Sequence, residues 1–372
     1  MILRSTALGL ALATCFGFAA PARAQRDLEP SIIESGALSD ADKTEIRQFL
    51  TGLTPELTGE PVRIKASRER IVRQLRAQGT GSQPSIAFRL EYARQLLPVV
   101  EPLIVNEGDL IAANALIIAG ELGVPAASPI LERGLADKRP PVRYGAAFGY
   151  KRLFERLIQG SPALTSKQAT DALGTVVGAI PGEIDTKVIE GLLRALEAGA
   201  KVPAEQVKDL RSSSVSALAT TMGARAAADA GGGERANNKL DLSRALLRAS
   251  QIAHDALTRV HMDKNEPQLP TQSLVDVGGL SGDILAYVRA RLAAPDLASD
   301  ERDRLTALTK SAESVYHFTN EALGGPLRDP ALGSLLDAGD TTGFSKAVVD
   351  LIGPSGPLTT APFGYADDRF VR

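Results

Sequence analysis

The chain predicts an all-α fold of stacked helix pairs that ends in an irregular C-terminal tail. Three observations carry the prediction. Apolar residues recur at helical spacing almost everywhere after Ser39, with Pro or Gly at most of the breaks. Hydrophobic residues make up 44% of the 372, yet aromatics are only 4% and Trp is absent. A core of Ala, Leu, Ile and Val follows, which suits closely packed helices better than sheets. No convincing period-2 run interrupts the pattern.

Each element has its own local reason. Ser39 caps a first helix, with Asp40 and Asp42 in its favourable first turn. Pro61 to Gln78 and Pro84 to Leu97 each open on a proline suited to a helix start. Asp109 to Leu122 is apolar on nearly all sides and is expected to be fully covered. Pro125 to Leu135 presents Ile130 and Leu131 on one face. Pro140 to Ile158 sets Val142, Ala146, Tyr150, Leu153 and Leu157 along one stripe. Thr165 and Gln168 have the form of a capping box. Helices over Ile184 to Ala198 and Pro203 to Ala228 follow. Gly231-Gly232-Gly233 marks a break, because each glycine costs a helix about 1 kcal/mol relative to Ala. Beyond it come Asn237 to His261, Gly282 to Ala293 and Ser299 to Leu323. Gly278 to Asp283 reads as a glycine-rich connection with Ser281 capping the helix after it.

This order divides the chain into residues 25–230, a Gly-rich linker at 231–236, a second helical segment at 237–352 and a tail at 353–372. In an array of this rhythm no pair buries its apolar stripe alone, so successive pairs stack into a continuous core. Asp137, Pro141, Val142, Arg143 and Ala146 stand in the pattern Asp-x-x-x-Pro-Val-Arg-x-x-Ala. Around residues 109–158 the chain resembles a HEAT repeat on that motif. The resemblance implies a HEAT-like α-solenoid in which Asp137 and Arg143 bond within or between inter-helix turns while Val142 and Ala146 pack inward. An irregular helical array is the competing architecture.

The first 24 residues read as a signal peptide. Arg4 supplies the positive start, Leu8 to Ala20 a short apolar stretch, and Ala22-Arg23-Ala24 a cleavage site, so the mature chain begins at Gln25. The apolar stretch falls short of the ~20 residues that span a bilayer. Cys15 is the one cysteine, and its loss with the signal leaves no disulfide, thiolate nucleophile or cysteine metal ligand. The signal also carries off Arg4 and Arg23, which lowers the formal charge of −2 by two and argues against a nucleic-acid partner. The chain has no Asn-x-Ser/Thr sequon, which fits a bacterial envelope, periplasmic or extracellular.

Assembled catalytic, cofactor and metal motifs are not found. His254 and His261 lie two helical turns apart, about 10.5 Å, too far to share one ion. With His317 they are the three histidines available to a base-dependent hydrolase. The strong charge feature is a basic amphipathic helix carrying Arg63, Lys65, Arg68, Arg70, Arg73 and Arg76 against Glu69. It reads either as a solvated face paired with acids elsewhere in the protein or as a surface for an acidic partner, an acidic polymer or, less well, anionic lipid. Phe363, Tyr365 and Phe370 fall in the final ten residues of a chain with ten Phe and six Tyr. They are expected either to plug the end of the helix stack or to dock on another protein. The sequence therefore points to an exported, non-catalytic helical-repeat protein that binds another envelope protein. Candidate contacts are Arg63, Arg70, Arg73, Phe363, Tyr365 and Phe370. The alternative is an exported hydrolase or lyase on the same scaffold.

Overall fold

A computed structural model describes residues 26–76, 83–106, 108–159, 163–230, 241–262, 267–295, 297–326 and 331–370. The signal segment, the linker at 231–236 and Cys15 lie outside these residues. Among them are fifteen α-helices, two short 3-10 turns and no strand. In chain order the helices are α1 (Pro30–Ile33), α2 (Asp40–Leu53), α3 (Pro61–Arg73), α4 (Ile86–Asn106), α5 (Asp109–Leu122), α6 (Ser128–Leu135), α7 (Pro140–Ile158), α8 (Ser166–Ala179), α9 (Thr186–Gly199), α10 (Leu210–Ala230), α11 (Ser243–Met262), α12 (Thr271–Leu292), α13 (Ser299–Ala322), α14 (Leu332–Asp337) and α15 (Thr341–Ile352).

The helices form two layers. In one, α3, α5, α7, α9, α11 and α13 each lie against the next; in the other, α6, α8, α10, α12 and α15 do the same. One continuous cluster of buried apolar side chains runs from Leu28 to Phe370. This is a helical-repeat kind of architecture, in which a helix buries one flank on the preceding pair and one on the next. No described helix is long and apolar enough to cross a membrane.

Local chemistry sets several boundaries. Ser39 accepts from the Asp42 N–H while the Asp42 carboxylate takes the Ser39 N–H, and Thr165 and Gln168 make the same reciprocal pair. α5 ends at Gly123 in the left-handed region, φ 61°, a conformation that glycine adopts at little cost. α5 is less enclosed than its composition suggests: Leu116 and Ile118 are buried, while Leu110 stays exposed.

Of the boundaries that differ from the sequence expectation, three bear most on the fold. α4 runs on through Pro98 and Pro102 to Asn106, because Val100 and Ile104 extend the buried stripe. Together with Leu96, Leu97 and Leu103 on the same core, that burial offsets two proline penalties of about 3 kcal/mol each. α10 begins at Leu210 rather than Pro203. The third difference is the largest. Gly278 to Asp283 is not a connection but the buried middle of α12, and Ser281 donates to the Val277 carbonyl inside the helix instead of capping it.

α5 and α7 meet at unusually close range. A methyl group on Gly120 would overlap the Gly149 backbone, and one on Gly145 would stand 2.7 Å from Ala113 Cα. This approach lets polar side chains on the two helices meet at one end of the pair.

Candidate functional site

The repeat motif forms a polar ladder along one edge of the array. Val142 and Ala146 are fully buried. The Asp137 carboxylate accepts from the Arg139 backbone and guanidinium, and these bonds hold it below the usual Asp range. Arg139 also donates to the Ile104 carbonyl at 2.7 Å, reaching back toward the turn before α5. Arg143 donates to the Asp137 and Lys138 carbonyls and then bridges forward to Glu183 at 2.7 and 2.9 Å. Glu183 precedes α9 and accepts in addition from the Ile184 and Asp185 N–H groups. Burial alone would raise its carboxyl, but the Arg143 bonds and the backbone donors bring it below the usual Glu range. Arg143 thus links two successive inter-helix turns. Pro141 is exposed at the first turn of α7, where its missing N–H costs nothing.

The basic face of α3 forms one wall of a groove of about 780 Å³. Arg68, Arg70 and Arg73 come from α3 and Arg76 from the turn after it, with Ile117 and Glu121 of α5 as floor. The opposite wall is Tyr144, Phe148 and Arg152, which recur every fourth residue on α7. Arg63 does not join them; it sits at the exposed start of α3, 3.5 Å from Glu56. Five guanidiniums therefore face two carboxylates, Glu69 and Glu121.

Glu121 anchors this arrangement. It is only 1% exposed and takes Arg76 at 2.9 Å, Arg152 at 3.3 Å and Arg156 in a shorter contact. Arg89, fully buried nearby, has its guanidinium pushed down to about 10, by burial first and then by Arg156. The Arg152 guanidinium lies 4.8 Å from the Phe148 ring centroid, a cation–π geometry, and the Tyr144 and Phe148 rings stack at 6.5 Å. Arg68 donates to Asn114 at 2.7 Å. Arg73 reaches Asp27 at 3.6 Å but stays 54% exposed. Arg68, Arg76 and Arg152 are held through their guanidiniums by Asn114 and Glu121, and with Arg70 and Arg73 they line the groove beside Tyr144 and Phe148, a lining that suits an anionic ligand with an apolar part.

The sequence marks the α3 side of this groove and misses Glu121, Tyr144, Phe148 and Arg152. A signal for the last three was present, since they share a face of α7 apart from the core stripe. Nothing local says which neighbour that face meets.

The C-terminal aromatics go elsewhere. Phe363 and Phe370 are buried and Tyr365 is half-buried. Phe363 lies on Gly278, Tyr365 and Arg369 on Gly279, and Phe370 on Gly282. The absence of Cβ atoms along α12 makes room for these side chains. Tyr365 donates to the Val275 carbonyl, and Arg369 pairs with Asp283 at 2.9 Å. The segment is irregular, as its prolines and glycines require, but it closes the fold as a docked strap.

The His254 ring meets Phe318 edge-on at 5.2 Å, and the His261 side chain lies outside the described residues. His317 lines a cleft of about 400 Å³ with Glu313 and Glu321. Both Glu313 oxygens are already occupied by the Ala331, Leu332 and Gly333 N–H groups at the start of α14.

No family model and no curated protein matches the chain. Among solved structures, an engineered protein aligns with 80% of this chain and 96% of its own at 16% identity and a TM-score of 0.33. A second engineered protein aligns with 77% of this chain and all of its own, also at 16% identity, with a TM-score of 0.28. Likeness at this level names no family and carries no argument about function.

Proposed function

We propose that this chain is an exported, non-catalytic helical-repeat module that engages another protein of the cell envelope through the groove between α3, α5 and α7. The observation that carries the reading is the meeting of Arg68, Arg70, Arg73, Arg76 and Arg152 with Tyr144 and Phe148 around one opening. Arginine and aromatic side chains dominate binding energy at protein interfaces. Burial of the strap's phenylalanines supports choosing this groove over the tail as the interaction surface. The Arg143–Glu183 bridge between successive turns is the kind of ladder the HEAT resemblance implies, and it supports a HEAT-like α-solenoid. The hydrolase alternative rests on the cleft of His317 and Glu321, where the other acid, Glu313, spends its oxygens on α14.

Affinity capture from envelope extract with tagged mature protein tests the reading. The partner should be retained by the wild type and by Arg63→Glu, and lost with the double variant Arg70→Glu/Arg73→Glu. Equal capture by all three would place the interaction elsewhere on the molecule.

A further inference from the structure

We infer that the groove takes an extended acidic peptide segment of its partner, with carboxylates and apolar side chains in alternation. The inference deepens the proposed function and rests on it. Its basis is the difference between the two walls. On one side Arg70 and Arg73 stand a helical turn apart on α3, and Arg76 follows beyond the helix end. Facing them, Tyr144 and Phe148 present aromatic surface. An extended peptide sends successive side chains to opposite sides, with same-side neighbours roughly 6–7 Å apart. A Glu-apolar-Glu pattern laid along the groove would therefore turn its carboxylates to the arginines and its apolar side chains to the rings.

Other anions fit less well. Inorganic phosphate or a single headgroup needs donors that converge on one point; Arg76 and Arg152 converge on Glu121, while Arg70 and Arg73 stand apart along α3. A bilayer surface is broad, and this cationic surface is recessed between helices with Glu121 in its floor. A purely acidic polymer would leave the aromatic wall unused.

Fluorescence anisotropy with labelled peptides on the full mature chain tests this. The probes are the alternating peptide Glu-Leu-Glu-Leu-Glu, its Gln-Leu-Gln-Leu-Gln counterpart, and the block isomer Glu-Glu-Glu-Leu-Leu. Competitors are inorganic tripolyphosphate and vesicles of phosphatidylglycerol. The alternating peptide should bind at least about tenfold tighter than the Gln peptide, weaken about tenfold in Arg70→Glu/Arg73→Glu, and change less than about twofold in Arg63→Glu. That control reverses one charge on the same helix outside the groove, where the groove variant reverses two. Tyr144→Ser should erase the preference over the block isomer.

Absence of peptide binding, indifference to the groove variants, or displacement by tripolyphosphate or vesicles below peptide concentrations would overturn the inference. Where envelope capture depends on Arg70 and Arg73 but none of the acidic peptides binds, the interaction reading stands and the peptide inference falls.

Discussion

Glu121→Gln is predicted to be the most damaging conservative change near the groove. The carboxylate is 1% exposed and lies within ion-pair distance of Arg76, Arg152 and Arg156. Two of the surrounding cations, Arg156 and Arg89, are themselves buried. Gln keeps the shape and one acceptor oxygen but removes the only negative charge that touches Arg156 among its described ion pairs. Breaking a buried ion pair from one side costs about 3–5 kcal/mol, because the partner charge stays buried without compensation. A typical domain has only about 5–15 kcal/mol in total, so the loss should be plain in urea unfolding as a lower midpoint with an unchanged slope. Glu69→Gln, on an exposed side chain of the same groove, should cost less than about 1 kcal/mol. The double variant Glu121→Leu/Arg156→Leu should lose less than the two single variants combined. A loss below about 1 kcal/mol for Glu121→Gln would refute the role of Glu121 as the charge that holds the groove together.

Further outcomes follow from the same packing. Phe363→Ala empties a buried ring position against Gly278 and should cost about 3–5 kcal/mol; truncation after Gly353 should lower the melting temperature further, and intact stability would show that the strap does not close the fold. Ala146→Leu, at a fully buried site facing Gly134, should destabilise by about 1–3 kcal/mol through overpacking, and an unchanged urea midpoint would contradict the inward packing of the repeat motif. Asp137 and Glu183 have folded-state carboxyls below their ordinary values of 3.8 and 4.5. Their contribution is therefore present above those values and is lost as pH falls through the lower folded ones. Unfolding midpoints should drop below about pH 4.5, and less steeply in Arg143→Gln, which removes the bond that lowers Glu183; parallel acid profiles would contradict the ladder.

What the sequence discloses is local, and what it hides is contact at long range. The Ser39 cap and the Thr165–Gln168 box are legible because four residues contain the whole interaction. The bounds of α5 and α7 are legible because Gly123 and Pro140 punctuate them. Gly278, Gly279 and Gly282 mislead because glycine weakens a helix in isolation. Their purpose lies some eighty residues on, in the rings of Phe363, Tyr365 and Phe370 that occupy the space of the missing side chains. Pro98 and Pro102 mislead in the same way, since burial of Val100 and Ile104 overrides a local penalty. The basic face of α3 is visible in sequence, but its opposite wall on α7 comes into view only when the layers are stacked.

Site-specific photocrosslinking in living cells from position 144 tests the central claim most directly, because Tyr144 stands on the groove wall facing α3. A photoreactive residue there should yield a discrete adduct with an envelope protein, lost in the Arg70→Glu/Arg73→Glu background and retained with Arg63→Glu. The same residue at Gly174, on open surface of α8, should yield no such adduct. Equal adducts from positions 144 and 174, or an adduct from 144 that survives loss of Arg70 and Arg73, would contradict the assignment of this groove as the interaction site.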